Sequence, residues 1–238
     1  MGAFLYGVIL QWKIDIRNKG ILLTYYVVPL VFFAFMGGIF TSIDPTAKNT
    51  LIQSMTVFGV TMGAILGAPI QLVELYASET KKAYKVGGIP LWVVAINNFI
   101  SAFIHLFIMS IIIFFVAPIA FEAILPLRMV HYIISLAIFI IVSLIVGTLL
   151  GLFVKNTSKL TMVSQFIFLP SIMLSGIMFP ITMLPKALEI VGRILPATWG
   201  YKLMINDVLD IKLLIPQFII LIICLCLSWY KLATIRLE

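Results

Sequence analysis

Six stretches of this chain are each apolar over roughly the 20 residues that a helix needs to cross the hydrocarbon core of a bilayer. They lie at 21–41, 52–77, 91–118, 130–154, 159–178 and 213–231. Lipid offers no hydrogen bonds to a peptide group, so only helices and closed barrels can span it. The stretches lack the two-residue alternation of a barrel strand. The fold class is therefore an all-α integral membrane protein, with six transmembrane helices in a single membrane domain over residues 1–238. Composition agrees: 63% of the residues are hydrophobic and 11% charged, against about 45–50% and about 25% in a soluble domain.

The segment before the first span, residues 1–20, reads as an amphipathic helix lying in the interface. Phe4, Leu5, Val8, Ile9, Trp12 and Ile16 share one helical stripe, while Gln11, Lys13, Asp15, Arg17 and Lys19 lie largely off it. On that reading Trp12 sits at headgroup depth. No cleavable secretory signal is expected, because Lys13 and Asp15 follow the apolar residues rather than precede them.

The net charge of +7 would suggest nucleic acid in a soluble protein, but here its distribution decides. With the amino terminus in the cytoplasm, the inner side holds Lys13, Arg17, Lys19, Lys81, Lys82, Lys85, Lys155, Lys159, Lys231 and Arg236. The outer side holds Lys48, Arg128, Lys186, Arg193, Lys202 and Lys212. The bias of ten to six puts both termini inside a cell membrane, and the partners expected are lipid and protein rather than nucleic acid. Cys224 and Cys226 face different directions on one helix, which disfavours a disulfide or metal pair.

The link between the second and third spans is "YASETKKAYKVGGIPLW". Ser78 can cap a short helix beginning at Glu79, Gly87 and Gly88 stop it, and Pro90 starts the next span. Residues 78–88 are then either a stiff charged helix suited to docking or an ordinary basic loop obeying the positive-inside rule. Gly59, Gly63 and Gly67, spaced four apart, share one face of the second span and permit close helix packing, as do Gly147 and Gly151 in the fourth. Polar groups within the spans are few: Gln71, Glu74, Asn97, Asn98, His105 and Gln165. Glu74 lies near the cytoplasmic end and can snorkel, and a single His105 is either a relay group or a hydrogen bond between helices. Neither His105 nor His131 has a nucleophile and carboxylate at its depth, and no metal site is expected, so no catalytic constellation emerges.

The region 179–212 is broken by proline. In "LSGIMFPITMLPKALEIVGRILPATWGY", Gly176 and Pro180 end the fifth span. Pro185 suits the first position of a short amphipathic helix over 186–195, and Pro196 cannot continue it. Ala187, Leu188, Val191, Ile194 and Leu195 make its apolar stripe, and Glu189 pairs with Arg193 at four residues' spacing. Such a helix is too short to span, so it lies in or dips into the outer leaflet, with Trp199 and Tyr201 in the aromatic interface.

Taken together, the interfacial helix, the six spans, the charged link and this proline-broken segment resemble the type-2 ABC transporter permeases. These are the membrane subunits of bacterial drug, lipid and polysaccharide exporters, with the type V exporter fold. The most specific match is Ser175, Gly176, Phe179, Pro180, Leu184 and Pro185, followed by Pro196. The resemblance implies that this segment forms two re-entrant helices shaping the outer exit. It also implies that residues 78–88, with Glu79, Thr80, Lys81, Lys82, Tyr84 and Lys85, form a coupling helix for an ATPase. Glu79 and Pro90 match the family pattern and Val86 replaces its leucine, but Lys81 and Lys82 stand where Gly-Thr is usual.

The function implied is that of a permease subunit in an ATP-driven exporter, carrying an amphiphilic or hydrophobic substrate such as a drug, a lipid-linked compound or a peptide antibiotic. The partners implied are two cytoplasmic ATPase subunits and a second permease copy or a related permease. The sequence has no phosphate loop of the G-x-x-x-x-G-K-[ST] kind, so the chain itself is no ATPase and holds no cofactor; ATP and magnesium belong to the partner. The alternative is a secondary transporter or ion-extrusion permease, which would need polar residues or broken helices at the midplane of two related halves. A lipid-acting membrane enzyme would need a clustered acid, base or metal.

The topology is tested by single cysteines at Lys82 and Lys186 in a variant lacking Cys224 and Cys226. An impermeant thiol reagent should label the two from opposite faces of the membrane; labelling of both from one face overturns the assignment.

Overall fold

A computed structural model describes residues 2–77, 86–88, 90–206 and 208–237. The link bearing Glu79, Thr80, Lys81, Lys82, Tyr84 and Lys85 lies outside the described residues. No strand occurs among them. Helix α1 covers Gly2–Arg17, and Asn18 separates it from α2, Lys19–Ile43, by accepting the Gly20 and Ile21 amides on its side chain. Next come α3 (Leu51–Tyr76), α4 (Leu91–Phe121), α5 (Met129–Phe153) and α6 (Thr157–Leu174). Two short helices, α7 (Lys186–Gly192) and α8 (Pro196–Ile205), precede the last, α9 (Ile211–Leu237).

Helix ends follow local chemistry. Pro90 caps α4, and the chain leaves it through Glu122 in the left-handed region at φ 54°. Asn156 caps α6 by accepting the Ser158 and Lys159 amides. The loops after α2 and α4 clasp each other: Lys48 Nζ lies 2.8 Å from a Glu122 carboxylate oxygen, and the Ile124 amide donates to the Lys48 carbonyl. That bond and the lysine charge hold the Glu122 carboxyl below its usual value, and the Thr46 hydroxyl and amide do the same for Asp44.

Helices α2, α3, α4, α5 and α9 are long and apolar enough to cross a membrane. The sixth expected span, α6, has 18 residues, about 27 Å of helix. Thr157, Ser158, Lys159, Thr161, Ser164, Gln165 and Ser171 make it the least apolar of the six. It nevertheless runs beside the whole of α3, touching its first, middle and last segments.

The core is organised around α3. In its most apolar window 83% of residues are buried, against 17% in α2 and in α9, so α3 is the axis and those two are peripheral. Its neighbours are α2, α4, α5, α6 and α8. Small residues set the spacing. At Gly147 on α5 a Cβ would overlap the Ala64 carbonyl oxygen, and at Gly151 it would press on Leu72 and the Pro69 carbonyl. Gly59 and Gly63 lie against Met109 and Leu106 of α4, and Gly63 and Gly67 against Tyr25 of α2. Both α2 and α3 widen into a single π turn, at Leu23–Val27 and Gly63–Gly67, and these two turns touch. Cys224 is buried and Cys226 exposed on α9, both as free thiols.

Gly147→Val puts a branched side chain where backbone already lies, and overpacking of this kind costs about 1–3 kcal/mol. Thermal unfolding in detergent should show a clearly lowered midpoint. Ile223→Val, at an exposed position on α9, should leave the midpoint unchanged.

Candidate functional site

The amino-terminal helix has a second face that the sequence reading did not single out. Its apolar residues Phe4, Leu5, Ile9 and Ile16 face outward, and the face turned to the bundle carries Val8, Gln11, Trp12 and Asp15. These four lie at spacings of three, four and seven, a single stripe of a helix. Val8 and Trp12 therefore do not share the outward face of Phe4, Leu5, Ile9 and Ile16. Trp12 stacks on the His105 ring of α4, with centroids 5.9 Å apart.

Asp15 is the centre of this contact, with 0% of its surface exposed. Gln11 Nε2, one turn away, donates to Asp15 Oδ1 at 2.8 Å, and the Ser101 hydroxyl of α4 donates to Oδ2 at 2.5 Å. Gln11 also reaches Gln71 of α3 at 3.4 Å, and Gln71 reaches the Tyr25 hydroxyl of α2 at 3.5 Å. Four helices thus meet on one chain of polar side chains. Burial pushes the Asp15 carboxyl above its ordinary value, while the Ser101 and Gln11 bonds draw it back.

His105 completes the cluster. It lies one turn beyond Ser101, so an acid and its donor spaced four apart on α1 face a hydroxyl and an imidazole spaced four apart on α4. The ring is enclosed by Trp12, Tyr25 and Tyr26. The Tyr26 hydroxyl and His105 Nδ1 are 2.8 Å apart, and Nε2 stands 4.0 Å from Asp15 Oδ2. Donation from Tyr26 to Nδ1 leaves the ring proton on Nε2, turned toward the carboxylate; the opposite tautomer would set a lone pair against it. His105 is a hydrogen bond between helices, and it also borders a buried acid. The π turn in α2 places the consecutive residues Tyr25 and Tyr26 on the same imidazole, and π turns of this kind recur at functional sites.

Asp15, Gln11, Ser101 and the two tyrosines were not singled out from the sequence. The available signal was the second stripe on α1, Val8, Gln11, Trp12 and Asp15, whose polar members are complementary to each other. Two acids or imidazoles do not make a metal site, and no group of three or more His, Cys, Asp or Glu side chains comes together among the described residues. Of the other polar residues in the spans, Asn98 is buried beside this interface, Glu74 is exposed near the end of α3, and Gln165 is exposed halfway along α6.

At the opposite end of the bundle, the proline-broken segment is more deeply packed than its sequence suggested. Ser175 is fully buried, with its hydroxyl on the Ile172 carbonyl, and Gly176 turns the chain at φ 95°. Phe179, Pro180 and Pro185 are exposed, Leu184 is half-buried, and Pro180 and Pro185 precede the turn Ile181–Met183 and α7. The short helix ends at Gly192 rather than at residue 195. Pro196 starts α8 instead of only stopping a helix, because a proline at the first position loses no bond. Helix α8 is buried: Gly200 sits against the Phe139 ring of α5, and the Tyr201 hydroxyl lies 3.4 Å from Ser54 of α3, which places Tyr201 inside the bundle rather than in the aromatic interface. Trp199 is half-buried, donating from Nε1 to the Arg193 carbonyl at 2.6 Å, with Lys202 over its ring. The Glu189 and Arg193 side chains pair at 2.6 Å, which holds the Glu189 carboxyl below its usual value.

A family model described as ABC-2 type transporter matches residues 4–208. No curated protein matches the chain.

Asp15→Asn tests the cluster through pH. The folded-state pKa of Asp15 is raised, so the stability linked to its protonated form is present below the unfolded value and lost as pH rises through the folded one. In melts from about pH 4 to about pH 7, the wild type should lose stability relative to Asp15→Asn. Asp15→Ala, which removes both bonds, should cost about 1.5–3 kcal/mol.

Proposed function

The chain belongs to the ABC-2 type transporter family, and on that premise we propose that it is the membrane permease subunit of an ATP-binding cassette exporter. It moves an amphiphilic or hydrophobic substrate, of the drug, lipid-linked or peptide-antibiotic kind, out of the cell across the plasma membrane. ATP and magnesium are bound by two separate cytoplasmic ATPase subunits. The observation that carries this reading is the extent of the family match, which takes in α1 through α8 and leaves out only α9 among the helices.

Several features support the details. In this reading α6 is the sixth span, both termini are cytoplasmic, and the passage beside α3 along its whole length favours that. Thr161 and Gln165 are exposed on α6 together with Met162, Phe166 and Leu169. An exposed amide halfway along a span is poorly placed against lipid tails, so this face is assigned to a second permease copy and the cleft between the two. The scarcity of charge within the spans favours an amphiphilic cargo over a bare ion, which would need desolvation partners.

The ATPase subunits engage residues 78–88, through Glu79, Thr80, Lys81, Lys82, Tyr84 and Lys85, and lie beside α1. Their closure on ATP pushes both elements. Because Asp15 and Trp12 fasten α1 to α4, while Gln11 ties it to Gln71 of α3, the push reaches two spans at once. At the far end, Ser175, Gly176, Phe179, Pro180, Leu184, Pro185 and Pro196 form the outer gate.

Purification of the tagged chain from its native membrane should bring down an ATPase subunit whose hydrolysis is stimulated by the permease. Changing Glu79 and Lys82 together to Ala should abolish export while hydrolysis continues. A chain that transports without any ATPase, or a variant that keeps wild-type coupling, refutes the respective part.

A further inference from the structure

One groove lies away from the α1 cluster, at the carboxyl-terminal end of the proline-broken region. It is about 470 Å³ and runs between the first turn of α5 and the connector from α8 to α9, with Arg128, His131, Ile134, Val208 and Leu209 among its walls. Met129 and Ile211 open two membrane spans, so Arg128 and the connector sit together at one membrane boundary. A second hollow of about 680 Å³ also borders the connector, shares Val208 and Leu209, and reaches Asp210 and Lys212.

The polar groups here are incompletely used. Arg128 is exposed and pairs with no carboxylate among the described residues, whereas Arg193 and Lys48 each hold one. Asp210 accepts the Lys212 amide on its side chain at 2.9 Å and so caps the start of α9. His131 is 8% exposed. Its Nε2 stands 2.9 Å from the Leu203 carbonyl, which can only accept, so Nε2 carries the proton and Nδ1 is left as a bare acceptor with no partner. Nδ1 is itself enclosed, so Arg128 is the polar group that the groove offers to a ligand. The remaining wall is apolar and continuous with the outward face of α5, where Val130, Ile133 and Ile134 are exposed at the level of lipid.

We propose that this groove binds an anionic membrane phospholipid, with the headgroup phosphate on Arg128 and an acyl chain along Ile134 and Leu209. Cations at the membrane boundary select an anionic headgroup, and an apolar wall open to the side admits a chain that a soluble phosphate lacks. The site lies where α5 meets the α8–α9 connector, so a bound lipid fastens the last span to the bundle. It requires only that α5 and α9 cross the membrane, and stands independently of the ATPase partnership, which co-purification tests on its own.

Native mass spectrometry of the detergent-purified chain, titrated with phosphatidylglycerol and with phosphatidylcholine, reads the preference. The wild type should retain phosphatidylglycerol over phosphatidylcholine. Arg128→Gln, at an exposed position, should weaken phosphatidylglycerol about fivefold, the effect of one basic side chain at an anionic surface, and leave phosphatidylcholine unchanged. Leu209→Trp should fill the groove and lower retention of both. Equal retention of the two lipids by the wild type, a wild-type preference in Arg128→Gln, or displacement of the lipid by excess inorganic phosphate would each overturn the proposal.

Discussion

Every span of a membrane protein satisfies its own backbone, so what holds one span to another is close fit and a small number of side-chain bonds. In this chain both fall chiefly on α3. Glycines 59, 63 and 67 let α2 and α4 approach it, and Gly147 and Gly151 let α5 come within backbone contact. Its polar side chains look inward as well. Thr56 meets the Tyr132 hydroxyl of α5 at 3.0 Å, Ser54 faces Tyr201 of α8, and Gln71 faces Gln11 of α1. Each such bond is worth about 0.6 kcal/mol on average inside a membrane protein. Their effect is to fix register among elements that dispersion alone would leave free to slide.

The α1 cluster extends that register beyond the spans. A helix presenting Phe4, Leu5 and Ile9 outward would float at the surface if its only attachment were apolar. Asp15, buried and held by Ser101 and Gln11, gives it a single seat, and the aromatic cage of His105 closes around the same point. On the proposed function, any push by ATPase subunits on α1 would be delivered to α4 and α3 together.

Five of the expected spans were legible because apolar length is a direct physical requirement of the bilayer, and the helix edges fall close to the sequence estimates, with Pro90 marking one of them. The outward apolar side of α1 fits the interfacial reading, but its bundle-facing stripe was not legible: Gln11 and Asp15, two polar residues that satisfy each other, take the inner face. Pro196 was read as a stop because proline breaks a continuing helix, whereas the same lack of an amide proton suits it to begin α8. Gln71 and His105 were visible as polar groups in apolar spans, but their partners lie far away along the chain, on α1 and in α2's π turn, which no local pattern announces.

The central claim is that α1 moves with α4 as one body. Spin labels at the exposed positions Ile14 on α1 and Ile96 on α4, in the permease assembled with its ATPase and reconstituted in lipid, report it directly. Rigid attachment predicts one narrow distance distribution, unchanged between the nucleotide-free and ATP-trapped states and broadened in Asp15→Ala. A distance that shifts or splits on ATP trapping in the wild type would contradict it.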